Sequence, residues 1–205
     1  MIAGESETKG AQTRRTILEA AIGRFGRDGF RATSVADIAR DAGVGGTVAY
    51  AYFPNKEALF LAAVDEDAAG VIQEGLATVR DVSDVKGWHD DLIYTLVAAV
   101  ERHPLARRLL GGLEPDVTVR VLGIPALNEL RKACTELLRT GQAAGTVRPD
   151  IDPVTVGNGV VALMLSVLMS VTQLGPQAAA MHSGDVAAVF EAALTAPVGG
   201  AAATV

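Results

Sequence analysis

The stretch from Thr33 to Lys56, TSVADIARDAGVGGTVAYAYFPNK, constrains the chain most, because its punctuation leaves the backbone few paths. Ser34-Val35-Ala36-Asp37 has the form of a capping box, a hydroxyl that accepts from orphan helix N–H groups with an acid three residues on. Val35, Ile38, Ala39 and Ala42 recur at helical spacing, so one face of this first helix is apolar. Gly43 stands at the C′ position, where a left-handed backbone ends a helix without a Cβ clash, and Val44 is the apolar plug of the turn. Gly45 to Phe53 then has room for about two and a half turns of a second helix. Pro54 stops it, because proline has no N–H to continue the ladder. Helix, glycine turn, short helix is the helix-turn-helix arrangement.

The flanks fit around this unit. Ile17, Leu18, Ala21, Ile22 and Phe25 form an apolar stripe over about Ala11 to Asp28, Gly29 ends that helix, and Phe30 packs the turn. Arg14, Arg15 and Arg24 lie off the stripe; a solvated face accounts for all three, and phosphate contact is open for Arg14 and Arg15 near the helix start. Asn55 or Lys56 opens a helix that runs to about Arg80 with Leu59, Phe60, Ala63, Val64, Val71, Ile72 and Leu76 as its apolar positions.

These residues carry a specific resemblance. Arg15-Thr16-Ile17-Leu18-Glu19-Ala20-Ala21, Phe25, Gly29-Phe30, Thr33-Ser34-Val35, Ile38-Ala39, Ala42-Gly43-Val44, Tyr50, Tyr52-Phe53 and Lys56-Glu57-Ala58-Leu59 stand in one register. In this pattern the segment resembles the DNA-binding domain of the TetR (tetracycline repressor) family of bacterial transcriptional regulators. The resemblance implies an all-α chain, with a three-helix DNA-binding head over residues 11–57 and a ligand-binding and dimerisation body over 58–196. Residues 1–10 are expected to be a disordered arm and 197–205 a flexible tail. DNA contact is expected from Thr33, Ser34, Gly45, Gly46, Thr47, Val48, Tyr50, Tyr52 and Lys56.

Within that set the chemistry differs from residue to residue. Gly45 and Gly46 allow close backbone approach to a phosphate, but where the family usually carries Ser or Thr at the first position, Gly45 supplies no hydroxyl cap. Thr47 can bond a base edge or touch a thymine methyl, and Val48 offers only apolar contact. The second helix holds no Arg, Asn or Gln, so bidentate base readout from it is impossible and specificity leans on methyl contacts and DNA shape. Tyr50, Tyr52 and Lys56 would set register on the backbone, although either tyrosine could instead pack the head. At a helix start the Lys56 charge opposes the macrodipole, which an external anion would relieve.

Charge is consistent with this division. The chain carries a net −6, yet residues 1–60 hold eight Lys and Arg against seven Asp and Glu, leaving +1 there and −7 beyond. The acidic excess therefore lies outside the proposed DNA-facing segment.

Beyond residue 80 the pattern stays helical. Asp81 to Lys86 reads as a linker, Trp88 to His103 as a helix, and Pro104 as the start of a short helix ended by Gly111-Gly112. Val117, Val119 and Val121 alternate as in a strand, but a lone strand has no partner, so a helical or irregular segment is expected. Pro125 opens a helix through about Ala144, and Gly145 to Asp152 is a turn. Asp152 caps Pro153, starting a helix to about Leu174 that is apolar nearly all round, and Asp185 is expected to cap a last helix ended by Pro197. A helix apolar on all sides must be buried on several, and a second subunit is the simplest extra cover. Val160, Val161, Leu165, Leu168, Val189 and Phe190 are the expected interface. Trp88, Tyr94, Asn158, Met164 and Met169 are the candidate lining of a pocket for an unknown small apolar ligand.

The reading is a homodimeric, ligand-responsive DNA-binding regulator acting on a palindromic operator, more often a repressor than an activator. A dimeric small-molecule sensor or interaction protein with weak or no DNA binding is the alternative. An enzyme has little support: Cys134, His89, His103 and His182 show no metal-ligand spacing, phosphate loop or nucleophile motif, and no cofactor or metal is expected. One cysteine fits a reducing cytoplasm. No signal peptide is visible, and the twelve-residue apolar run Val160 to Val171 is shorter than the ~20 residues that cross a bilayer.

Overall fold

A computed structural model describes residues 8–80, 88–118 and 122–195. The expected linker at 81–86, all but the last three residues of the arm, and the tail lie outside the described residues. Regular structure among those described is helical: α1 (Lys9–Ala32), α2 (Val35–Asp41), α3 (Gly46–Tyr52), α4 (Lys56–Arg80), α5 (Trp88–Arg102), α6 (Pro104–Leu110), α7 (Pro115–Thr118), α8 (Pro125–Ala144), α9 (Pro153–Leu174) and α10 (Pro176–Leu194). The chain divides into two compact units. One takes in the described residues to Gly70 together with Val100–Ile124, the other those of Val71–Ala99 and from Pro125 onward. The division falls within α4, after Gly70.

The first unit is built around Ile17, Leu18, Phe25, Ile38, Leu59, Phe60 and Val64, with Leu105 and Leu109 of α6 in the same cluster. Phe25, Phe30 and Phe60 pack ring to ring, with centroids 4.9 Å apart for Phe25–Phe60 and for Phe30–Phe60. Thr8 caps α1 by accepting from the Ala11 N–H, so helix begins at Lys9, inside the stretch expected to be a disordered arm. α1 breaks at Gly29, which sits at φ 81°.

A buried carboxylate holds α6 to α4. Asp67 is 4% exposed, and its Oδ2 accepts the backbone N–H groups of Leu105 and Ala106, each at 2.8 Å. These are donors of the first turn of α6, which has no carbonyls of its own helix to serve them. Oδ1 lies 2.8 Å from His103 Nδ1, and the imidazole fills the space over Gly70, where a Cβ would come within 2.3 Å of Cε1.

In the second unit α8 packs on α9 and α9 on α10. Gly157 permits the close approach: a Cβ there would stand 3.0 Å from Thr135 Oγ1 and 3.2 Å from its backbone N. The turn before α9 is held by Gln142, whose Nε2 donates to the carbonyls of Arg148 and Ile151, both at 3.0 Å. Asp152 caps α9 as expected, accepting the Thr155 N–H at 2.9 Å.

Two local expectations change, and the helical or irregular reading of the alternating valines fits the residues described there. α10 starts at Pro176 and not at Asp185: Gly175 turns the chain at φ 87°, proline fits the first helical turn, and Asp185 falls inside the helix. α9, at 22 residues with a mean hydropathy of 2.0, is by length and composition able to cross a membrane, since the helix outruns the twelve-residue run read from sequence. Its inner face, Gly157, Val160, Val161, Met164 and Leu168, is buried within this chain. The stretch with alternating valines begins as a helical turn at α7, and residues 119–121 lie outside the described residues.

Asp67→Ala should destabilise the protein by roughly 2–4 kcal/mol, because it leaves buried α6 amides without an acceptor. Asp67→Asn, which keeps one acceptor oxygen, should lose less; urea unfolding followed by circular dichroism measures both.

Candidate nucleic-acid interface

The geometry of the α2–α3 unit follows from its caps. Ser34 Oγ accepts the Asp37 N–H at 3.1 Å and donates to Asp37 Oδ2 at 2.7 Å, so the acid serves the hydroxyl and not the Ser34 backbone. At the other end Gly43 adopts φ 67°. The Val44 N–H donates to Ala39 O at 2.9 Å and the Gly43 N–H to Arg40 O at 3.1 Å, the double bond pattern of a Schellman turn. These bonds fix the angle at which α3 leaves α2.

α3 turns one side inward, through Ala49, and presents the rest. Gly45, Gly46, Thr47, Val48 and Tyr50 are exposed, Val48 at 40% and Tyr50 at 54%. Gly45 forms the N-cap with no side-chain bond, and a Cβ at Gly45 or Gly46 would meet nothing within 4 Å. Neither glycine is therefore required by packing. Tyr52 is half-buried and packs against the head cluster, and its hydroxyl lies against Gly10, where a Cβ would stand 3.5 Å away.

Thr33 differs from expectation. It is 3% exposed, and its Oγ1 donates to Gly29 O at 2.8 Å, closing the chain after the break in α1. With its hydroxyl turned inward it offers nothing to a ligand outside the head. Ser34 is exposed, although its hydroxyl is engaged as a cap.

The head's cations fall into two groups. Arg24, expected on a solvated face, instead makes a two-point bond to Asp41, Nε to Oδ2 at 2.6 Å and Nη2 to Oδ1 at 2.9 Å, joining α1 to the end of α2. Arg27 pairs with Asp28, Arg40 with Asp37, and Arg15 with Gln12 and Glu19. Among the described residues no carboxylate pairs with Lys9, Arg14, Arg31 or Lys56. Arg14 lies 5.1 Å from the centroid of Phe53, and the Lys56 ammonium lies 4.4 Å from that of Phe30, cation–π contacts that leave the charge unneutralised. Arg31, exposed just before α2, is a cation the sequence reading passed over; its only sequence signal was a position two residues before Thr33.

The paired carboxylates are held ionised. The hydrogen bond from Arg24 keeps Asp41 below the usual carboxylate range, that from Arg27 does so for Asp28, and the Ser34 hydroxyl for Asp37.

The second unit brings together fewer of the expected residues. Of the candidate pocket set, Trp88 and Met164 are buried and Met169 half-buried, whereas Tyr94 is 69% exposed and Asn158 is exposed. Tyr94 lies off the buried stripe of Trp88, Leu92 and Leu96, and Asn158 off that of Gly157, Val160 and Val161, so the five do not line one cavity. Of the expected interface residues, Val160, Val161, Leu168 and Phe190 are buried within the chain, Leu165 is half-buried and Val189 is exposed. The four buried residues fill this chain's own packing. Among the described residues of α9 and α10 the exposed large apolar side chains are Val154, Leu163, Leu174 and Val189, and a groove between the two helices is lined by Leu163, Ser166, Val167, Ser170, Val171, Asp185, Val186 and Val189. Cys134 is fully buried, and desolvation pushes its thiol up to about 12, so it remains protonated.

Known proteins match over both parts of the chain. Residues 17–63 fit the family described as bacterial regulatory proteins, tetR family, and residues 88–191 fit the transcriptional regulator SbtR-like C-terminal domain. The HTH-type transcriptional repressor SCO4008 of Streptomyces coelicolor is 31% identical over 98 residues, covering 48% of this chain and 47% of its own length. The matched region thus spans about half of that relative. A TetR-family protein from Mesorhizobium loti aligns over 93% of this chain and 100% of its own with a TM-score of 0.74 at 21% identity. A TetR-family transcriptional regulator from Cytophaga hutchinsonii aligns over 93% and 98% with a TM-score of 0.71 at 19% identity. At these identities the structures show a shared fold.

Acid should unpick the α1–α2 brace. Because the folded carboxyls of Asp28, Asp37 and Asp41 are depressed, their contribution is present above the unfolded value of about 3.9 and is lost as pH falls through the folded values. Arg24→Ala should melt lower than the parent at neutral pH, and the gap should close below about pH 4, as read from thermal melts across pH.

Proposed function

Since the chain belongs to the TetR family of bacterial regulatory proteins, we propose that it acts as a cytoplasmic homodimer that binds a palindromic operator and is released by a small molecule. The observation that carries this reading is the outer face of α3, where Thr47, Val48 and Tyr50 stand exposed on a helix whose only buried residue is Ala49. Carboxylate-free cations, Arg14, Arg31 and Lys56, belong to the same head. Thr47 and Val48 supply methyl and hydroxyl contacts to base edges, Tyr50 and Lys56 contact phosphate, and Gly45 and Gly46 let the backbone come close. Repression is favoured by the similarity to a relative named as a repressor. Family relatives are transcription regulators rather than enzymes, in keeping with the protonated, buried Cys134.

Dimerisation is supported by the uncovered apolar face of α9 and α10, in particular Leu163 and Val189. Two-fold symmetry then sets two copies of α3 into successive major grooves about 34 Å apart. The ligand acts by favouring a conformation whose heads no longer match that spacing, and its effect is bounded by its differential affinity for the two states. The sensor reading, with weak or no DNA binding, is favoured by one feature: α3 lacks both a side-chain cap and any bidentate base-reading residue.

Selection of bound duplexes from a random DNA pool at low salt should enrich a palindrome. Thr47→Ala and Tyr50→Phe should each weaken binding to it, by about tenfold for the lost base contact of Thr47 and less for Tyr50. A folded, dimeric protein that enriches nothing would leave the sensor reading. Leu163→Asp should shift the protein from dimer to monomer in sedimentation while circular dichroism stays unchanged; a dimer that persists would move the interface elsewhere.

A further inference from the structure

Glu114, from the stretch whose sequence is hardest to read, reaches back into the head. Its Oε1 accepts the Phe30 backbone N–H at 3.1 Å and the Arg108 Nε–H at 2.8 Å. The pair is largely withdrawn from solvent, with side chains 21% and 15% exposed for Arg108 and Glu114. It rests directly on the break in α1: a Cβ on Gly29 would stand 2.4 Å from Arg108 Nη2 and 2.9 Å from Glu114 Oε1. Because Gly29 is non-helical, the Phe30 N–H has left the α1 ladder, and the Glu114 carboxylate takes it.

Phe30 has a second role on its other side. Its ring packs on Phe25 and Phe60, and the Lys56 ammonium lies 4.4 Å from its centroid. Lys56 stands in the first turn of α4, where the helix macrodipole repels it, and no carboxylate among the described residues holds it. The Phe30 ring is thus the group that fixes where this flexible cation is presented.

We propose that Glu114 is a positioning residue for DNA binding: by clamping the Phe30 main chain, it sets the ring that holds Lys56 in place for a phosphate. This rests on the reading of Lys56 as a phosphate contact. Arg108 orients the Glu114 carboxylate, and Gly29 leaves the space that both require. Of Lys56, Phe30, Arg108 and Glu114, only Lys56 would touch DNA, through its ammonium; Glu114, being anionic and inward, would not.

The test is the salt dependence of binding by the full-length protein to a mixed-sequence DNA duplex. Each phosphate contact contributes close to one unit to the slope of log affinity against log salt concentration. Lys56→Ala should reduce the slope by about one, Glu114→Ala should reduce it by a similar amount, and the double variant should go no further than Lys56→Ala. If Glu114→Ala lowers affinity with an unchanged slope, and its effect adds to that of Lys56→Ala, the residue is merely structural and the proposal falls. Should Glu114→Ala fail to fold, Glu114→Gln and Phe30→Leu carry the same comparison. Glu114→Gln weakens the acceptor and removes its charge, and Phe30→Leu keeps apolar bulk while removing the ring. A parent protein that binds DNA while Lys56→Ala leaves its slope intact would sink this inference and spare the DNA-binding reading. A parent that binds no duplex at any salt would sink both.

Discussion

The head depends on one backbone excursion, the left-handed Gly29. An uninterrupted α1 would carry Phe30 onward along the helix axis, whereas the break turns it back to join Phe25 and Phe60. The excursion also releases two backbone groups from the helical ladder, and both find side-chain partners: Gly29 O accepts from Thr33, and the Phe30 N–H donates to Glu114. An L side chain would be strained here by the positive φ, and its Cβ would displace the Arg108–Glu114 pair lying over the Cα. The entry angle of α2, and through the Gly43 turn that of α3, is built on this corner.

Two kinds of electrostatic brace act in the head, and burial separates them. Arg24–Asp41 has ideal two-point geometry but sits at the surface, where screening and side-chain entropy leave an ion pair little net energy. Its use is angular, holding the end of α2 to α1. Asp67 is different, since it is nearly inaccessible and serves backbone donors that water cannot reach. Buried hydrogen bonds of that kind cost most when one partner is removed, which makes Asp67 the brace on which the packing of α6 against α4 rests.

What could be read from the sequence was what local chemistry decides. Ser34, Gly43, Pro104, Pro125 and the Asp152-Pro153 start mark helix ends through bonds spanning a few residues, and each end lies where its residue type demands. Asp185 misled for the same reason: a cap residue within a polar stretch imitates a helix start, while the real start needed Gly175 to turn at positive φ. The α9 helix is apolar on nearly every side, so its sequence fixes no phase, and Val160, Val161 and Leu168, expected at an interface, are buried within the chain. Glu114 and Asp67 were beyond reach of pattern. Their partners lie 84 and 38 residues away, and no spacing announces a side chain that serves another segment's backbone. Thr33 failed more narrowly, as one hydroxyl whose direction depends on the Gly29 break.

If α3 is the DNA-facing helix proposed above, its residues determine where specificity would come from. Gly45 and Gly46 face open space, so neither packing nor backbone angle selects glycine there, and what the pair supplies is backbone accessible from outside. An exposed N-terminus without side chains suits approach to a phosphate, a contact that is blind to sequence. On the proposed function, Thr47 and Val48 would discriminate mainly by thymine methyl contact, a shorter code than an arginine or glutamine would write. In the proposed dimer, discrimination between sites would then come largely from how readily a duplex adopts the groove geometry that lets both α3 helices seat at once. That requirement loads the task onto whatever sets head geometry. On the proposed function, the Gly29 corner, the Arg24–Asp41 brace and the perch of Lys56 on Phe30 would then tune sequence preference without touching a base.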